Sequence, residues 1–137
     1  MIQTEIINTF SKILISSVAK STEGDSNSIP SVSQTDYAIN GYHVCAKILP
    51  NQLLDIISVL DKAHFFIESI TGVDWIKDKE LEVVYDFSRF DFDLCRVVVK
   101  IRIPRETPVI PSISQIYTGA NWHERETHDF FGIVFDG

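Results

Sequence analysis

The chain has 137 residues, with 19 Asp and Glu against 12 Lys and Arg for a formal net charge of -7. At 45% hydrophobic and 11% aromatic residues, with only 6 Gly and 5 Pro, its composition is that of a globular core and excludes a disordered or fibrous chain. One domain of this size buries roughly two-thirds of its unfolded surface without a metal or disulfide staple, and the acidic balance argues against nucleic acid or an anionic membrane as partner.

From the N-terminus, Ile6, Phe10, Ile13, Leu14 and Val18 recur at helical spacing and predict an amphipathic helix over residues 1–19. Its apolar run lacks a preceding basic region and a following A-x-A site, so no signal peptide is read. No apolar stretch approaches the ~20 residues that cross a bilayer. Residues 20–36 are Ser-rich, contain Gly24 and Pro30, and have few large apolar groups to offset their ordering entropy. They are expected to be a flexible connection to a single folded domain over 37–137.

Tyr42 to Leu49 suits a strand. Pro50 and Asn51 then open a helix with Leu53, Leu54, Ile57 and Leu60 on one face, and His64 to Asp74 reads as a second strand. Leu81, Val83, Tyr85 and Phe87 alternate with Glu80, Glu82 and Asp86; Cys95, Val97, Val99, Ile101 and Ile103 alternate with Arg96, Lys100 and Arg102. These two strands predict an antiparallel hairpin with an apolar face and an outer face of opposite charges that pair across the strands. Cys45 and Cys95 lie far apart, form no CxxC pair, and are expected as buried thiols of a reducing compartment.

Pro104, Pro108 and Pro111 break regular structure, and Ser112 caps a short turn through Tyr117. Asn121 and Glu124 have the spacing of a capping box for a last helix, with Gly132 as its stop. The fold class is α+β: a mainly antiparallel sheet packed with helices in one domain.

The densest functional cluster is Trp122-His123-Glu124-Arg125-Glu126-Thr127-His128-Asp129. It invites comparison with the zinc motif H-E-x-x-H, but His123 and His128 are five residues apart and lie about 140° round a helix, against about 40° for i,i+4 ligands. Glu124 or Glu126 with Asp129 is the available carboxylate pair, and on an exposed helix such a pair is solvated. There is no nucleotide-binding glycine loop and no Cys-His-Asn arrangement. A Trp flanked by alternating charges, with an i,i+4 pair of Arg125 and Asp129, fits an exposed helix and a protein interface equally well.

Residues 119–133, read as G-A-N-W-H-E-R-E-T-H-D-F-F-G-I, resemble the signature A-N-W-x-E-R-E-x-x-D-x-F-G-I of the C subunit of NADH:quinone oxidoreductase, respiratory complex I. Thr71-Gly72-Val73-Asp74, Val84-Tyr85, Ile101-Arg102-Ile103-Pro104 and Val109-Ile110-Pro111-Ser112 fall in the family's order, and the resemblance covers residues 42–137. It implies a cofactor-free structural and assembly subunit of the hydrophilic arm, peripheral on the cytoplasmic side of the membrane. Its partners would be the large subunit that forms the quinone site and other hydrophilic-arm subunits; iron-sulfur clusters, FMN, NADH and quinone would reside on those partners. Trp122, Glu124, Arg125, Glu126, Asp129, Phe131 and Gly132 would then shape the subunit interface, with no catalytic, cofactor or metal residue of the chain's own.

Two features depart from the family pattern. The family continues past the F-x-G segment, here Phe135-Asp136-Gly137, so the expectation is either a trimmed C-terminus or a shorter relative, such as the matching subunit of an energy-converting [NiFe] hydrogenase or related ferredoxin-linked complex. His123 and His128 stand in variable slots and carry no assigned role. A reading of a different class, a free-standing metal or acid-base enzyme, lacks the constellation it needs.

Overall fold

A computed structural model describes residues 2–18, 30–90 and 94–137. In chain order its elements are α1 (Ile2–Val18), β1 (Ser31–Gln34), α2 (Tyr37–Asn40), β2 (Val44–Ile48), α3 (Leu53–Lys62), β3 (Phe66–Trp75), β4 (Glu80–Arg89), β5 (Cys95–Pro104), β6 (Val109–Pro111), α4 (Ala120–Phe131) and β7 (Val134–Asp136). Of the connection expected over 20–36, residues 20–29 lie outside the described residues. From Ser31 the chain departs from that expectation, because β1 forms an antiparallel ladder on β2 in which Val32 packs against the core.

The sheet runs β1-β2-β5-β4-β3. Every neighbouring pair is antiparallel except β2 and β5, which are parallel, so the α+β class holds with a mixed sheet. The alternation in β4 and β5 decides the facing: Leu81, Val83, Tyr85 and Phe87 share one buried cluster with Cys95, Val97, Val99, Ile101 and Ile103. The same cluster takes Ile6, Phe10 and Leu14 from α1 and the Leu53, Ile56, Ile57 and Leu60 stripe from α3. Leu54, expected on that stripe, is 44% exposed, and Ile56 takes its place. The i, i+3, i+4, i+7 spacing from Leu53 is the better helical stripe.

On the opposite face the predicted charge pairing forms. Arg96 makes a two-pronged contact with Asp86, Nε to Oδ1 at 3.2 Å and Nη2 to Oδ2 at 2.7 Å, and also reaches Glu68 at 3.2 Å. Arg102 lies within 3.1 to 3.6 Å of Asp78, Glu80 and Glu82, with its guanidinium carbon 4.4 Å from the centre of the Trp75 ring. Such half-exposed pairs add a few tenths of a kcal/mol each, about the scale of exposed ion pairs.

The helix α4 lies along the edge strand β3. Two contacts fix its distance. The Thr127 hydroxyl is 2.9 Å from the His123 carbonyl of its own helix and 3.3 Å from the Ile70 carbonyl of β3. The Phe131 ring sits directly on Gly72, where a Cβ would come 2.6 Å from its Cδ2. Glycine is required at position 72 by this approach of ring to backbone. Gly72→Ala is expected to push the Phe131 ring off β3 and lower stability by about 1–3 kcal/mol, the usual range for overpacking; denaturant unfolding measures it, and an unchanged midpoint would contradict the close packing.

Candidate functional site

α4 presents two faces with different chemistry. Ala120, Glu124, Thr127 and Phe131, spaced i, i+4, i+7, i+11, turn inward, and the first three are buried. A glutamate thus stands on an otherwise core-facing stripe. The capping box predicted for Asn121 and Glu124 does not form: the helix begins at Ala120 after Gly119, Asn121 is exposed within the first turn, and the cap residue gives no side-chain hydrogen bond. The Glu124 side chain is drawn elsewhere.

It reaches the turn after β6. Ser112 Oγ lies 2.6 and 2.8 Å from the two carboxylate oxygens and donates to them, and the Ile113 N–H donates to Oε1 at 3.2 Å. Ser112 Oγ in turn accepts from the Ser114 N–H at 3.2 Å and lies 2.9 Å from Ser114 Oγ. With the Ser112 proton committed to the carboxylate, Ser114 supplies the proton of that second contact, and the chain of donors runs toward the anion. Ser112 therefore does organise the turn through Tyr117, and it also bears the carboxylate. Glu124 is 4% exposed, which corrects the expectation of a solvated carboxylate. Burial pushes its pKa above the usual range, while the donations from Ser112 and Ile113 pull back. The buried Tyr85 phenol of β4 is raised too, first by burial and then by the negative charge of Glu124.

The C-terminal end of α4 closes as predicted. Gly132 takes the left-handed conformation at φ 73° and its N–H donates to the His128 carbonyl at 2.8 Å. His128 Nδ1 is 2.9 Å from the Ile133 carbonyl; a carbonyl only accepts, so Nδ1 carries the proton. β7 then pairs in parallel with β6, and the Ser112 N–H donates to the Asp136 carbonyl at 2.8 Å. A cleft of about 320 Å³ remains between these elements, lined by Glu124, Arg125, His128 and Phe135 among others.

The outward face carries Trp122, Arg125, Glu126, Asp129 and Phe130. Trp122 is 62% exposed and meets the His123 ring edge-on at 5.8 Å between centroids; Phe130 is 82% exposed. Trp122, Glu126 and Phe130 follow at i, i+4 and i+8, so the two aromatics flank a carboxylate on one stripe. The Arg125 to Asp129 pair expected from their spacing is absent, and neither these two residues nor Glu126 has a salt-bridge partner among the described residues. Of the predicted interface residues, Trp122, Arg125, Glu126 and Asp129 therefore share the open face, Gly132 ends it, and Glu124 and Phe131 belong to the inner one. Phe130, Ser112 and Thr127 complete the two faces. The i+8 spacing of Phe130 from Trp122 was a usable sequence signal for the first; for Ser112 there was none, since its partner is twelve residues away. His123 and His128 do not converge on a metal set, and the described residues hold no group of three His, Cys, Asp or Glu suited to one.

Residues 46–137 match the family described as "Respiratory-chain NADH dehydrogenase, 30 Kd subunit". The chain belongs to this family. The NADH-quinone oxidoreductase C subunit of Roseiflexus castenholzii is 35% identical over 95 residues, which are 66% of this chain and 54% of the relative. The F(420)H(2) dehydrogenase C subunit of Methanosarcina mazei is 42% identical over 67 residues, 49% of this chain and 42% of that one. The chain spans about half the length of the curated relatives it matches. A chain in the structure of the membrane-bound sulfane sulfur reductase, an archaeal respiratory membrane complex, superposes with a TM-score of 0.69 at 25% identity, covering 93% of this chain and 70% of that chain. A trypsin-resistant fragment of Nqo5 gives a TM-score of 0.67 at 23% identity over 93% of this chain and 95% of the fragment, a likeness of fold. In this member of the 30 Kd subunit family, no described helix is long and apolar enough to cross a membrane.

Two outcomes test the Glu124 contact. Ser112→Ala removes a hydrogen bond to a charged group and is expected to lower stability by about 1.5–3 kcal/mol. A carboxyl whose pKa rises on folding binds more protons folded than unfolded, so its contribution to stability falls as pH rises through the window above the unperturbed value of 4.5. Urea titrations from about that pH to neutrality should show wild type losing stability relative to Glu124→Gln; parallel curves would refute a raised Glu124 pKa.

Proposed function

We propose that this chain is a structural and assembly subunit of the hydrophilic arm of a proton-translocating NADH:quinone oxidoreductase, docked by the outward face of α4 on the large subunit that forms the quinone site. It sits peripherally on the cytoplasmic side and performs no redox chemistry itself; iron-sulfur clusters, FMN, NADH and quinone are handled by partner subunits. The observation that carries the docking is the contrast between the two faces of α4. Its inner side is pinned to β3, Ser112 and Ile113, while its outer side leaves Trp122 and Phe130 open between charges without ion-pair partners among the described residues. A rigidly held helix with an aromatic, charge-flanked outer stripe has the composition of an interface hot spot.

A second reading keeps the same docking role in a sister complex, an energy-converting [NiFe] hydrogenase or related ferredoxin-linked assembly. It is favoured by the F(420)H(2) dehydrogenase relative and the sulfane sulfur reductase neighbour. Electron donor and acceptor are set by partner subunits in both readings, so spectroscopic titration of the assembled complex with NADH and with reduced ferredoxin separates them.

The docking role is tested by the double variant Trp122→Ala, Phe130→Ala, with Leu54→Ala as an exposed apolar control on another helix. Both aromatics being exposed, the isolated chain should keep its unfolding midpoint, while its association with the large subunit weakens about tenfold or more, as expected on loss of aromatic anchors. Undiminished association of the double variant, or turnover by the isolated chain, would overturn the reading.

A further inference from the structure

The outer face of the five-stranded sheet is not part of the α4 surface. It forms a shallow groove of about 460 Å³, with Val84 and Val98 on its floor and Trp75 at one side. Its carboxylates are all engaged from within: Asp86 and Glu68 by Arg96, Glu80 and Glu82 by Arg102. Two cations are left over. Lys47 of β2 and Lys100 of β5 are direct partners in the parallel ladder, so their side chains leave the same face side by side, and neither has a salt bridge among the described residues. Ser31, Val84 and Thr71 continue the row across β1, β4 and β3 without supplying an acid. Cys45, two residues before Lys47 on β2 and paired with Val98 of β5, shares this face of the sheet.

Like charges directly opposite one another on a sheet face are destabilising. This pair is also the reverse of the chain's overall sign, since the whole carries -7. Among the described residues, the carboxylates two positions either side of Val84, Glu82 and Asp86, are already engaged by Arg102 and Arg96. An anionic membrane is disfavoured as the source of a compensating anion: two lysines among Glu80, Glu82 and Asp86 give no broad positive field, and the net negative charge repels such a surface. A short acidic protein segment meets both demands, because one or two carboxylates can reach neighbouring ammonium groups on strands about 4.8 Å apart while an apolar residue beside them enters the Val84 and Val98 floor.

We propose that the Lys47 and Lys100 pair on the open sheet face is a second docking point, taking an Asp- or Glu-bearing segment of a neighbouring subunit. It rests on the assembly role argued above but uses a different surface, so the two can fail separately.

The test measures reassembly of the full chain with the remainder of its complex, at low and high salt, for Lys47→Glu, Lys100→Glu and the double reversal. Either single reversal creates an attractive pair across β2 and β5, so the isolated chain should keep or raise its unfolding midpoint. Its affinity for the depleted complex should nonetheless drop about tenfold, with a smaller salt dependence. The double reversal should bind no better than the singles, and Trp122→Ala should weaken binding with its salt dependence retained. Opposite movements of stability and affinity separate docking from a purely structural role. Wild-type affinity in the double reversal, with Trp122→Ala still weakened, would sink the sheet-face site and leave the α4 docking standing. Loss of neither would sink both. Sedimentation with phosphatidylglycerol vesicles that depends on Lys47 and Lys100 would also overturn the proposal, in favour of a lipid anion.

Discussion

A buried carboxylate and a serine hydroxyl hold the C-terminal third of this protein in place. Glu124 cannot leave its site cheaply once folded, because an anion withdrawn from water must find donors. The donors it finds are Ser112 and the Ile113 N–H, on the turn after β6. That turn is tied through Ser112 N–H to Asp136 of β7, and β7 follows α4 directly. One charge thus joins the start of the β6 turn, the body of α4 and the last strand. The orientation of the outward Trp122, Arg125 and Phe130 follows from the inward grip on Glu124, Thr127 and Phe131.

The sheet supplies the other half of the support. Gly72 lets Phe131 lie on the backbone of β3, and the Thr127 hydroxyl reaches the Ile70 carbonyl next to it. A helix fixed by a hydroxyl, a ring and a carboxylate along one side has little freedom to roll. Such rigidity suits the docking role proposed for the outward face, since less ordering entropy remains to be lost on association.

Much of this was legible in the sequence where periodicity and burial agree. The alternation in β4 and β5, the stripe beginning at Leu53 with Ile56 in place of Leu54, and the Gly132 stop each express one local rule, and each is realised in that form. The family resemblance on residues 119–133 was equally direct, because long motifs carry information that composition does not. What failed were features whose partner lies far along the chain. The box spacing of Asn121 and Glu124 obeys a local rule, but a buried tertiary partner competed for the same carboxylate and won. β1 was read as flexible because Ser31 and Ser33 carry no apolar signal; its order comes from the β2 edge it pairs with. One local expectation also fails: Arg125 and Asp129 have the spacing to pair and do not, an expected result for exposed side chains whose pairing gains little over hydration.

The parallel pairing of β2 with β5 is a contact between segments far apart in the chain. β3, β4 and β5 are successive antiparallel neighbours and close through short connections, whereas His43 meets Arg96 across 53 residues of sequence, its Nδ1 accepting from the Arg96 N–H at 2.9 Å. Loop closure over that distance is rewarded only after β5 already presents an edge. Closure entropy thus favours joining the β3–β5 meander before β2, with β1 on its far side, is added. Were β1 and β2 to detach, the β5 edge they cover would be left unpaired, a place at which another chain could add a strand.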